Sequence, residues 1–207
     1  MPLSIVSRVT DSEMSRGTRP RAKAAGKRRQ LTAAAARVLH EQGVERTTIA
    51  DIARAAEVPA GNVYYYFKTK DELVEAALAE HAGHLRELTD ELDQLPDPRN
   101  RLKGLIAAWV SGRDTAARYG CPTGTLAAEL DKREEGGLDL LAGQVVRQLL
   151  DWVERQYREI GAADPAGRAL TLVGAYQGMS LLSNALRDPE IMTREGDRLI
   201  RELDTTV

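Results

Sequence analysis

The sequence predicts an all-α protein. Apolar residues recur at spacings of three and four through most of its 207 residues, and no stretch alternates apolar and polar for a useful strand length. Gly and Pro punctuation cuts the chain into helix-sized pieces, three short ones followed by a longer helical half, with no repeat at a fixed period. A composition of 43% hydrophobic and 29% charged residues is that of a globular chain. Nothing approaches ~18 consecutive apolar residues, so neither a membrane span nor a membrane partner is expected. The opening MPLSIVSRVTDSEM is too short and interrupted for a secretory signal. One cysteine, Cys121, excludes an internal disulfide and a zinc finger and suits a reducing cytoplasm.

Charge divides the chain. Residues 1–70 carry 13 Lys/Arg against 6 Asp/Glu, and the remainder 16 against 25, for a net charge of −2. Between Met14 and His40 there is no acidic residue, while Arg16, Arg19, Arg21, Lys23, Lys27, Arg28, Arg29 and Arg37 are present. A basic head on an acidic body orients a molecule towards a polyanion. By itself it reads equally well as a solubilising tail.

Residues 1–22 read as a flexible basic tail. A helix is expected from Ala24 to Gln42, with Leu31, Ala34, Ala35, Val38 and Leu39 on one face and Gly43 as its stop. Thr47 or Thr48 caps the next helix, with Asp51 as a capping-box partner of Thr48, and Ile49, Ile52, Ala53 and Ala56 form its buried stripe. Val58-Pro59-Ala60-Gly61 makes the turn, Pro59 standing at a helix entrance and Gly61 allowing close approach of a helix or a phosphate backbone. A short helix over about Gly61 to Phe67 follows. Val63 and Phe67 face inward, and burying the Phe67 ring contributes roughly 1.5–3 kcal/mol. Asn62, Tyr65, Tyr66 and Lys68 are left outside. Thr69 caps a long helix from Lys70 to about Leu95, with Asp71 and Glu72 in its first turn. Two short helices around a tight turn, the second with a hydrogen-bonding outer face, predict a helix-turn-helix over about 48–67 within a DNA-binding domain of residues 23–70.

The segment from about Ala25 to Glu80 resembles the N-terminal domain of the tetracycline-repressor (TetR) family. Its signature, Tyr-x-(His/Tyr)-Phe-x-(Ser/Thr)-Lys-x-x-Leu, is met by Tyr64, Tyr66, Phe67, Thr69, Lys70 and Leu73; Gly43, the Thr47-Thr48 pair, Ile52-Ala53 and Val58 match as well. The resemblance implies that Thr48 binds a phosphate through its hydroxyl and backbone N–H. It puts Ala60, Gly61, Asn62 and Tyr65 deepest in the major groove, where Asn62 can pair with an adenine edge. Tyr64 and Tyr66 brace or contact phosphates, and Lys70 pairs with another. Thr47 and Lys68 complete the DNA-binding candidates. Each tyrosine also has a packing reading, strongest for Tyr64. Tyr66 stands where the family has histidine, which removes a pH-dependent charge.

Residues 71–207 are expected to form a helical effector-binding and dimerisation domain. Helices are read over 98–119, from Leu138 to Ile160, from Pro165 to about Arg187, and from Asp188-Pro189 to about Leu203, with a break at 120–124. The segment YGCPTGTLAAE resembles the LmrA/YxaF-like (lincomycin-resistance-regulator) branch. The resemblance implies a homodimer through the last two helices, about 166–203. Gly174 and Gly178 either admit a close helix or leave room for a side chain. Trp109, Tyr119, Trp152, Tyr176 and Met179 are candidates to line a small-molecule effector cavity, or else plain core. Cys121, with Arg118 near it in sequence, is a candidate redox sensor or an inert buried thiol. His81 and His84, with Glu80 and Glu87, read as solvated helix surface rather than a metal site. No catalytic constellation, phosphate loop or Gly-x-Ser-x-Gly elbow occurs, so neither an enzyme nor a cofactor is expected.

The function these readings imply is a ligand-responsive transcriptional regulator, acting as a repressor by default. A homodimer would hold a near-palindromic double-stranded DNA operator in two successive major grooves. Effector binding would release it through a coupling of roughly 1–3 kcal/mol.

Overall fold

The computed structural model describes residues 18–133 and 137–205. Their helices are α1 (Thr18–Gln42), α2 (Ile49–Ala55), α3 (Ala60–Tyr66), α4 (Lys70–Leu92), α5 (Pro98–Ser111), α6 (Arg113–Tyr119), α7 (Pro122–Leu130), α8 (Leu138–Ile160), α9 (Pro165–Leu186) and α10 (Glu190–Thr205). No strand occurs among the described residues, and the all-α expectation holds. None of these helices is long and apolar enough to cross a membrane.

Most of the expected tail, residues 1–17, lies outside the described residues. Residues 18–22, expected to be unstructured, are helical. Pro20 falls in the first turn of α1, where its missing N–H breaks no helical bond, so the helix begins upstream of Ala24. The cap of α2 follows the sequence: the Asp51 N–H donates to the Thr48 hydroxyl at 3.2 Å, and the Thr48 N–H donates to the Asp51 carboxylate at 3.0 Å. The turn after α2 does not. Its sharp residue is Glu57, at φ +52°, and the Val58 N–H closes the bend onto the Ala53 carbonyl at 2.9 Å. Ala60 and Gly61 are already inside α3. Gly112 divides the expected 98–119 helix into α5 and α6, and Pro122 starts α7 with Cys121 as its cap.

Burial sorts the helices into two cores. In the first, Leu31, Leu39, Ile52, Val63 and Phe67 pack with Leu73, Val74, Ala77 and Leu78 of α4, with Leu126 and Leu130 of α7, and with Leu138 and Ala142 of α8. In the second, Leu102, Leu105, Ile106 and Trp109 of α5 pack with α8, α9 and α10. Further along α4, Leu85, Leu88 and Leu92 pack against this second core. One rigid helix thus serves both units, and a division at residue 70 cuts through the first core.

A second connection lies at the end of α1. Gly43 takes φ +79°, and the Glu129 carboxylate of α7 accepts from the Val44 N–H at 2.5 Å. The left-handed backbone favours glycine at Gly43, and a Cβ there would come within 2.6 Å of the Glu129 carboxylate and displace it. Nearby, His40 Nε2 donates to the Gly120 carbonyl at 2.8 Å, tying α1 to the α6–α7 corner.

Candidate nucleic-acid interface

With seven residues, α3 is too short to stand alone and is held by its inner face. Val63 and Phe67 are fully buried, as their spacing predicts. The Arg28 guanidinium lies 4.4 Å from the Phe67 ring centroid and donates to the Tyr66 carbonyl at 3.1 Å, so α1 grips the C-terminal end of α3. On the other face Ala60, Gly61, Asn62, Tyr64 and Tyr65 are exposed, Tyr65 to 76%. Among the described residues, nothing beyond its chain neighbours and the helix's own backbone lies within 4 Å of a Cβ built on Gly61, and its φ is not positive. Glycine there serves neither internal packing nor backbone strain; it leaves the outer surface low.

The three tyrosines differ from their sequence ranking. Tyr64, the one with the strongest packing reading, is 51% exposed. Tyr66 is half-buried against the first core, its ring edge-to-face with Tyr65 at 5.2 Å. Helix phase explains this: Tyr66 lies beside the buried Val63–Phe67 stripe, and Tyr64 is turned away from it.

Thr47 is corrected more firmly. It is 1% exposed and its hydroxyl donates to the Gly43 carbonyl at 2.6 Å, so it braces the α1–α2 turn and presents nothing to a ligand. Thr48 is exposed, but its N–H and hydroxyl both donate to Asp51. The Asp51 carboxyl is held below its usual range first by the Thr48 hydroxyl and then by its backbone N–H, so a carboxylate occupies the place expected for a phosphate. Lys68 is exposed; its ammonium donates to the Tyr64 carbonyl at 2.5 Å, at the end of α3. Lys70 reaches the Glu45 carbonyl at 3.4 Å, beside the start of α2. The cap of α4 is as expected, with the Glu72 N–H on the Thr69 hydroxyl at 3.1 Å.

The effector candidates separate. Trp109 and Tyr176 come together, their rings stacked at 4.3 Å and 14°. Both line a cavity of about 90 Å³ and a larger cleft of about 510 Å³. The other three go elsewhere. Tyr119 packs edge-to-face on His40, and the Trp152 indole N–H donates to Asp93 at 3.1 Å, fastening α8 to the end of α4. Met179 lines a surface groove between α9 and α10. Sequence spacing places residues on helix faces, but how the helices pack decides which faces share a cavity.

Cys121 is buried, and its sulfur accepts from the Gly124 N–H at 3.3 Å and lies 3.6 Å from Gln177 Nε2. Arg118 is exposed and makes no hydrogen bond to that sulfur. This is the inert-thiol environment, not the cationic one a redox sensor needs. Among the described residues no group of three or more His, Cys, Asp or Glu could hold a metal.

His81, expected as solvated helix surface, is instead half-buried, with its Nε2 closed to water. His40, His81 and His84 all line the larger cleft, although His40 is on α1 and the other two on α4. Burial, and then the neighbouring His40 and His84, pushes His81 down to about 4. An unfolded histidine titrates near 6.5, so on acidification the unfolded chain takes up the proton first. Stability from this group is complete above that value and falls as pH drops towards 4, by roughly 3 kcal/mol in all. Urea midpoints taken at about pH 7 and about pH 4.5 should therefore fall less in His81→Phe than in the parent. Equal falls would mean that His81 is not buried neutral.

The model of bacterial regulatory proteins of the tetR family matches residues 31–77, from the inner face of α1 through α4's first two turns. The matched segment is a TetR-family N-terminal domain. Over 74 residues it is 43% identical to the probable HTH-type transcriptional regulator ArpR of Pseudomonas putida and 42% identical to the HTH-type transcriptional regulator TtgR from the same species. Each match covers 33% of this chain and 35% of the relative, so it spans about a third of the relatives' length. A TetR transcriptional regulator from Legionella pneumophila superposes with a TM-score of 0.76 at 15% identity, over 86% of this chain and 96% of that one. One from Chloroflexus aurantiacus gives 0.76 at 20%, over 90% and 98%. At such identities the likeness carries the fold, and it extends the TetR architecture beyond the matched domain.

Proposed function

We propose that this TetR-family protein is a ligand-responsive transcriptional regulator, a repressor that binds a palindromic operator as a homodimer and is released by a small hydrophobic effector. The observation that carries this reading is the face of α3. Asn62, Tyr64 and Tyr65 project from a helix whose opposite side is locked by Val63 and Phe67, leaving hydrogen-bonding groups outward on a rigid base. The Asn62 amide is exposed, and its donor and acceptor suit a base edge. Lys68 and Lys70 flank it at the C-terminal end, where phosphates would run.

A dimer is supported by α9. Leu170, Leu181, Leu182 and Leu186 are each more than half exposed, an apolar surface that a lone subunit leaves wet. Built Cβ atoms on Gly174 and Gly178 meet nothing within 4 Å, so a second helix has room to approach. Two copies of α3 carried by a two-fold pair would enter major grooves about one helical turn apart, roughly 34–36 Å.

A gel-shift series at increasing salt tests the reading. Specific binding should weaken steeply as salt rises. Tyr65→Ala should lose about 1–3 kcal/mol of discrimination against altered operators, whereas Lys70→Ala should weaken all sequences alike and flatten the salt slope by about one charge. Parent-like affinity and preference in both variants would refute the contact assignment.

A further inference from the structure

A cleft of about 510 Å³ runs between the DNA-binding unit and the bundle. Its apolar lining comes from both sides: Ala33 and Ala36 on α1, Trp109 on α5, Tyr176 on α9 and Met192 on α10. Pockets of about 300–1,000 Å³ with a few placed polar groups are what small ligands occupy.

Three of the polar side chains in the lining already have partners. His40 Nε2 is held by the Gly120 carbonyl at 2.8 Å, His84 Nε2 lies 3.6 Å from the Glu80 carboxylate, and Arg37 donates to the Ala55 carbonyl at 3.2 Å. His81 differs. Its Nε2 is closed to bulk water and has no hydrogen-bond partner among the described residues, although its ring forms part of the cleft lining. Buried polar atoms are almost always paired, so a nitrogen left unpaired at a cleft wall marks the place for a ligand group.

We propose that this interdomain cleft is the effector site and that it takes an uncharged aromatic compound carrying a hydroxyl, which pairs with His81 Nε2. The assignment rests on the regulator reading above. Three features select the class. The imidazole is neutral, so Nε2 is a donor in one tautomer and an acceptor in the other, and a hydroxyl satisfies either. The arginine of the lining, Arg37, is exposed, so water screens its pull on an anion in the cleft. The stacked rings of Trp109 and Tyr176, 4.3 Å apart, form an apolar aromatic wall. Because α1 forms one side of the cleft, an occupant touches the DNA-binding unit directly, next to the His40–Gly120 bond that ties it to α6 and α7.

Calorimetric titration of the full chain with naphthol, methylnaphthalene and naphthoate tests this. Naphthol should bind about ten-fold or more tightly than methylnaphthalene, the worth of one hydrogen bond to an otherwise unpaired buried group, and naphthoate more weakly than naphthol. His81→Phe should abolish the preference for the hydroxyl. Ala33→Trp, at an exposed position on α1, should weaken naphthol by narrowing the cleft. Equal binding of naphthol and methylnaphthalene, a preference that survives His81→Phe, naphthoate as the tightest probe, indifference to Ala33→Trp, or no binding at all would each overturn the assignment. Operator binding by the ligand-free parent is measured alongside. If it is absent the regulator reading fails; if it is present without the hydroxyl preference, only the cleft assignment fails.

Discussion

If the proposed dimer forms through α9, replacing Leu182 and Leu186 with glutamate should convert the protein to monomers and lower its operator affinity by about 100-fold or more. Both leucines are exposed in the single chain, at 53% and 66%, so the change should leave the subunit's own packing and its helical circular dichroism intact. In a two-fold interface the same positions would face their counterparts, and four buried carboxylates would repel one another and lose their water. The effect on DNA follows from linkage. Two joined recognition helices bind with an effective concentration that raises avidity by about 10²–10⁴ over either alone, and separated subunits lose it. Sedimentation and gel shift check the two halves of the expectation. A double variant that stays dimeric, or a monomer that binds the operator as tightly as the parent, would remove α9 from the interface.

The second large effect is expected at Phe67. Its ring is fully buried with Val63 in the first core, under the Arg28 guanidinium at 4.4 Å. Phe67→Ala should cost about 3–5 kcal/mol, a transfer loss plus the cavity left behind. It should also remove about 0.5–1 kcal/mol from the Arg28 contact. That is a large share of the stability of a small domain, and it falls on a helix with only two buried anchors. Operator binding should therefore be lost, while the self-association proposed for α9 should persist. Urea unfolding, with sedimentation alongside, measures both. A loss below about 1 kcal/mol would show that α3 is held by something other than this side chain.

Much of the DNA-binding unit was legible because its determinants are local. The Thr48–Asp51 box, the Thr69–Glu72 cap and the Val63–Phe67 pair involve residues three or four apart, the distance a helix itself brings together. One step further out the determinants are no longer local. Thr47 and Thr48 are neighbours with the same side chain, yet one hydroxyl is buried on the Gly43 carbonyl and the other caps α2. The turn residue was expected among Val58–Gly61, but the left-handed position went to Glu57, because the hydrogen bonds that close α2 fix where the chain must bend.

The sequence by itself determined the all-α class, the short α2–turn–α3 unit with its polar outer face, and the identity of the two anchors beneath it, since periodicity and capping act within a few residues. Only the tertiary structure decided that α4 serves both cores and that Glu129 reaches the end of α1. It also decided that Trp109 and Tyr176 share a cavity that Tyr119, Trp152 and Met179 do not line, and that three histidines from two distant helices meet at one cleft. These are contacts between helices brought together by burial, and burial is non-directional. It rewards any packing that hides apolar surface, so the packing that wins depends on the fit of all the faces together and cannot be read from any one of them.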